Sequence, residues 1–156
     1  MIEKIKEIAK EILTKNGHLN PIALFFKGEK EQQDFFCSLD WKTDVEKQQY
    51  MYAVGVIAKQ QQASQVFIIT DAAMKQMSPE AIKTYDETDA PLTYPKSMRT
   101  ECIIIHFIDL KSGNSETCIV PYKGGDKEPV VFLPELPKDV PYKNWFTEMI
   151  LKGYNL

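Results

Sequence analysis

Val66-Phe67-Ile68-Ile69-Thr70 and Cys102-Ile103-Ile104-Ile105-His106-Phe107-Ile108 are two apolar runs within the stretch Gln65 to Leu110, separated by a long polar connection. Runs so continuous and so rich in β-branched residues read as strands buried on both faces. They are expected to lie side by side at the centre of one sheet.

The rest of the chain arranges itself around this pair. Ile2, Ile5, Ile8, Ile12 and Leu13 recur at helical spacing, and Asn16-Gly17 supplies a left-handed stop. Ile22-Ala23-Leu24-Phe25-Phe26 and Asp34-Phe35-Phe36-Cys37-Ser38-Leu39, joined by the turn Lys27-Gly28-Glu29-Lys30, form a hairpin. Thr43 with Glu46 three residues on is a capping box. It opens a long helix that carries Tyr50, Ala53, Val54 and Ile57 on one face and ends in Lys59-Gln60-Gln61-Gln62.

Beyond the central pair, Thr117-Cys118-Ile119-Val120 reads as a further strand after the turn Lys111-Ser112-Gly113-Asn114. Val130-Val131-Phe132-Leu133, between Pro129 and Pro134, reads as an edge strand because proline cannot donate to a ladder. Pro141 starts a last helix with Tyr142, Trp145, Phe146, Met149 and Ile150 on one face and Gly153 just past its end.

The order is α-β-β-α-β-β-β-(β)-α in a single α+β domain spanning 1–156. Hairpins outnumber crossovers, so the sheet of about five or six strands is expected to be mainly antiparallel, with helices on at least one face. This order is similar to the profilin-like architecture of roadblock and longin domains, an analogy of topology that assigns no function.

Composition narrows the function classes. A chain of 156 residues can bury an adequate core without disulfide or metal staples. With 44% apolar and 26% charged residues and no long apolar run, no membrane span is expected. The start Met1-Ile2-Glu3-Lys4-Ile5-Lys6-Glu7 alternates charges where a secretory signal needs an apolar run, so a cytoplasmic location is expected. A net charge of -3, with lysines scattered among glutamates, argues against nucleic-acid binding. Cys37, Cys102 and Cys118 are widely spaced within strand-like runs and read as free, buried hydrophobes, not as zinc ligands.

The connection between the central strands holds the features of greatest interest. Asp71-Ala72-Ala73-Met74 closes the first strand, Pro91 to Pro95 forms a proline-punctuated turn, and Arg99-Thr100-Glu101 leads into Cys102 to Ile105. Over about a quarter of its length, the chain here resembles a widespread family of small prokaryotic proteins. In those, a strand ends in an acidic residue, Ala and Trp-Met, and a Pro-rich turn with Arg-x-Glu precedes an apolar strand. Ala73 stands where that family has Trp. The resemblance implies a fold and a region to watch, and no particular chemistry.

Arg99 and Glu101, two apart in a strand, share a sheet face. With Asp71 on the neighbouring strand they form the candidate ligand site, since Arg grips carboxylates and phosphates in bidentate fashion. The structural alternative is an ion pair that pins the connection. Ser78-Pro79-Glu80 is expected to start a short helix through Tyr85. His106, set among isoleucines, has no identifiable proton donor or orienting partner and reads as a core histidine, and His18 as a surface or C-cap residue. No serine has a nucleophile elbow, and Gly124-Gly125 reads as a turn, not a phosphate cradle.

The sequence therefore leads to a cofactor-free binding or regulatory module that acts through protein–protein contacts, with a homodimer through exposed sheet edges as one form. The alternative is a small enzyme or anionic-ligand-binding protein with its site beneath the 71–99 connection.

Overall fold

The computed structural model describes residues 1–28, 35–74, 100–125, 128–137 and 146–156, the side chains of Asp44, Ala73 and Met74 excepted. Three helices and six strands are described: α1 Ile2–Asn16, β1 Ile22–Phe26, β2 Phe35–Ser38, α2 Asp44–Gln60, β3 Gln65–Met74, β4 Thr100–Asp109, β5 Ser115–Gly125, β6 Glu128–Phe132 and α3 Phe146–Tyr154. The strands form one antiparallel sheet in the order β2-β1-β3-β4-β5-β6. β3 and β4 are adjacent and central, as their composition requires.

Side-chain alternation divides the core into two faces. Leu24, Phe26, Phe67, Ile69, Ile103, Ile105, Cys118 and Val120 meet Ile5, Ala9 and Leu13 of α1. Ala23, Phe25, Val66, Ile68 and Ile108 meet Met51, Val54 and Ala58 of α2, and Phe146 and Ile150 of α3. Both faces are covered, where the sequence required only one.

Local chemistry sets the boundaries. Gly17, at φ 76°, ends α1 by donating its N–H to the Leu13 carbonyl at 2.8 Å. Thr43 caps α2 by accepting from the Glu46 N–H at 3.1 Å. The second arm of the expected capping box differs, because the Glu46 carboxylate accepts from the Lys42 N–H at 2.7 Å instead of from Thr43. The inward face of α2 also differs by one step. Ala53 is exposed, and Met51, Val54 and Ala58 are buried.

Three further expectations are corrected. β5 runs through Pro121 to Gly125 and does not stop at Val120. The Pro121 carbonyl accepts from the Leu133 N–H at 2.9 Å, so its backbone polar groups turn toward β6 and its missing N–H costs no bond to β4. Gly124 and Gly125 are the irregular end of that strand, at φ 88° and 102°. A Cβ at Gly124 would fall 2.0 Å from the Pro129 carbonyl oxygen, so β6 can close on β5 only over a glycine.

Gly153 lies inside α3 and not beyond its end. It is there because α3 crosses α2 with the two backbones in near contact. A Cβ on Gly153 would sit 2.1 Å from the Tyr52 carbonyl oxygen, and one on Gly55 would sit 2.0 Å from that of Ile150. The third correction concerns Cys37, which is only half-buried, while Cys102 and Cys118 are buried as expected. The helix expected over 78–85 and the helix start at Pro141 lie outside the described residues.

One buried charge ties α1 to the segment after β6. Lys6, 7% exposed, pairs with Glu3 at 2.7 Å and with Glu135 at 2.9 Å. The Glu3 hydrogen bond, followed by Glu135, holds its ammonium well above the ordinary lysine pKa against the cost of burial. Glu135 is held below the ordinary carboxylate value. Burial opposes this, and hydrogen bonds from Lys6 and the Cys118 thiol outweigh it.

Candidate functional site

β3 extends to Met74, so Asp71 sits within a strand and not at its end. Its register partner on β4 is Ile103, and Ala73 stands opposite Glu101. Asp71 and Glu101 are therefore diagonal neighbours on the α1 face of the sheet, both half-buried. Arg99, the third residue of the expected cluster, lies outside the described residues.

A residue not foreseen completes the described part. Tyr122 on β5 stands opposite Glu101 and is 5% exposed. Its hydroxyl donates to Asp71 Oδ1 at 2.6 Å. The only signal for it in the sequence is parity along β5, which a strand ending at Val120 does not reach.

Electrostatics fixes the protonation of this group. Burial first, and then the Asp71 carboxylate it bonds, push the Tyr122 phenol far above its ordinary pKa. At neutral pH it can donate a hydrogen bond but cannot act as a base. Cys102 points from β4 to the opposite face. Burial, helped by the charges of Asp71 and Glu101, raises its thiol to about 12. A thiol so protonated is neither nucleophile nor metal ligand at neutral pH.

The described part of the cluster is thus the carboxyl groups of Asp71 and Glu101 beside a protonated phenol. Among the described residues no three His, Cys, Asp or Glu side chains converge as metal ligands. If the Tyr122–Asp71 bond is structural, Tyr122→Phe should lower stability by about 1–2 kcal/mol through the half-buried acceptor it leaves. Chemical denaturation of the two proteins measures this, and equal midpoints would show that the bond contributes nothing.

His106 faces α2 and α3. It is 3% exposed, with Nδ1 at 2.7 Å from Thr117 Oγ1 on β5, Nε2 at 2.5 Å from Thr147 Oγ1 on α3, and its ring edge-on to Phe146. Burial lowers its pKa to about 4, so the imidazole is neutral and joins sheet to helix. His18 is exposed and caps the end of α1 through the Asn16 carbonyl at 3.1 Å, as its position suggested.

An open depression of about 540 Å³ lies elsewhere, along α2, lined by Asp40, Lys42, Glu46, Gln49, Tyr50 and Ala53. Neither the Asp71 cluster nor His106 borders it.

The remaining candidate is backbone. β2 is an outer strand whose sequence Phe-Phe-Cys-Ser bears no charge, and Phe36 on it is 57% exposed. The opposite edge is guarded. β6 opens Glu128-Pro129 and meets β5 across a register shift between Lys123 and Gly125. Among the described residues no helix is long and apolar enough to cross a membrane. No known family model, curated protein or solved structure matches the chain.

Proposed function

We propose that the chain is a cofactor-free binding module that acts through protein–protein contacts, by accepting an extended polypeptide segment along β2. The observation that carries this reading is the uncharged β2 edge, outermost among the described strands, with its exposed Phe36. An outer strand presents backbone donors and acceptors in the pattern a further strand needs, and an exposed aromatic ring beside them adds apolar contact. The three free thiols fit a reducing, cytoplasmic compartment.

The competing reading, an enzyme or anion-binding site beneath the 71–99 connection, draws on Asp71, Arg99 and Glu101, of which Arg99 lies outside the described residues. The edge is favoured because β2 and its exposed Phe36 lie wholly within the described residues.

Selection of random extended decapeptides against the immobilised protein tests the proposal. Peptides recovered on the wild type should bind Phe36→Lys at least about tenfold more weakly, because lysine on an edge strand opposes strand addition. Phe36 is exposed, so the fold should tolerate the change. Selected peptides that bind both proteins equally would overturn the reading.

A further inference from the structure

The direction in which β2 presents its backbone follows from one hydrogen bond outside the strand. The Leu39 N–H donates to the Pro21 carbonyl at 2.9 Å. This pair continues the β1–β2 register, in which Ser38 stands opposite Ile22 and Cys37 opposite Ala23. In an antiparallel pair, hydrogen-bonded and non-hydrogen-bonded positions alternate. Phe35, Cys37 and Leu39 therefore turn their backbone groups toward β1. Phe36 and Ser38 turn theirs outward, where no backbone bond engages them among the described residues.

Resting on the reading of β2 as a binding edge, we infer that its partner is a second copy of this chain, paired β2 to β2 about a two-fold axis through Cys37. The outward residues flank Cys37 symmetrically. An antiparallel copy centred there places Phe36 opposite Ser38 of the second copy, and Ser38 opposite its Phe36. Each of these pairs exchanges two N–H···O=C bonds, so every outward group on Phe36 and Ser38 is satisfied.

The strand Phe35–Ser38 carries no charge, so pairing within it sets no like charges opposite each other. The half-exposed Phe36 ring comes to lie over Ser38 of the second copy. The other edge differs, because the bulge between Lys123 and Gly125 breaks its register. Pairing is therefore isologous and closes at two copies, and no open filament forms.

The register is open to a direct test. Cys37 meets its own symmetry mate at a non-hydrogen-bonded position, where α-carbons are about 4.5 Å apart, within disulfide reach. Added diamide should oxidise the two Cys37 thiols to one disulfide, itself taking up the two electrons and two protons. Cys102 and Cys118 are buried and serve as internal controls.

The expected result is a dimer in sedimentation equilibrium that diamide links covalently through Cys37. Cys37→Ser should abolish the link, and Phe36→Lys, which keeps the thiol, should slow it by about tenfold or more. A protein that stays monomeric up to about 1 mM overturns the inference. So does a dimer that Phe36→Lys leaves intact or that links with Cys37 absent. A monomer that still binds decapeptides selected on β2 would refute only the identity of the partner and leave the edge reading standing.

Discussion

Gly153→Ala is expected to destabilise the protein by about 3 kcal/mol, although alanine in a helix interior normally gains close to 1 kcal/mol over glycine. The added methyl would have to occupy space 2.1 Å from the Tyr52 carbonyl oxygen and 3.2 Å from the Val56 nitrogen. Backbone cannot swing away as a side-chain end can, so α3 must move off α2. That movement loosens Ile150 and Phe146 from the core they share with Val54 and Met51. Gly55→Ala should cost a similar amount through the Ile150 carbonyl.

The double variant should lose clearly less than the sum of the two single changes, because one displacement of α3 relieves both clashes. Urea denaturation of the four proteins completes the cycle. Additive losses would mean that the two glycines are not opposed at one crossing.

The second large effect is a loss of stability in mild acid centred on His106. Its folded pKa is near 4 and an unfolded histidine titrates near 6.5. Above pH 6.5 both states are neutral and the contribution is complete. Between 6.5 and 4 the unfolded chain takes up a proton that the folded protein refuses, so stability falls as the pH falls. The total reaches about 3 kcal/mol, since each unit of difference corresponds to about 1.4 kcal/mol.

Carboxylates also titrate toward the lower end of this window, so the comparison is with His106→Gln, which keeps polar contacts to the threonines and cannot titrate there. The stability advantage of the wild type over this variant should shrink steadily from pH 7 to pH 4. An advantage that does not change with pH would show that His106 is free to ionise in the folded protein.

Much of the sheet was legible because its signals are strong and local. The isoleucine runs of β3 and β4, the Asn16-Gly17 stop and the Thr43 cap each express one dominant preference, and each holds in the fold. The misreadings have a common cause, which is that a residue's meaning depended on a neighbour distant in sequence. The strand expected over Thr117 to Val120 runs on through Pro121 because the Leu133 N–H, just past β6, supplies a donor to the Pro121 carbonyl. Gly153 reads as a helix terminus until α2 is known to pass within contact of its Cα.

The site was legible only in part for the same reason. Strand parity put Arg99 and Glu101 on one face with Asp71 on the neighbouring strand, whereas the shared face of Asp71 and Glu101 and the place of Tyr122 beside them come from registers that the sequence does not display. The direction of the β2 backbone depends on the Leu39–Pro21 bond, which no periodicity reveals.

The three cysteines also grade the molecule by depth. Cys37 stands half in solvent, whereas Cys118, raised to about 11, and Cys102, raised to about 12, lie within β5 and β4. A thiol that is both shielded and protonated reacts only during the moments when its strand separates from its neighbours. The chain thus carries its own set of clocks. One runs at the surface and two are stopped until the sheet opens, so the rates at which they are consumed rank how often each part of the fold comes undone.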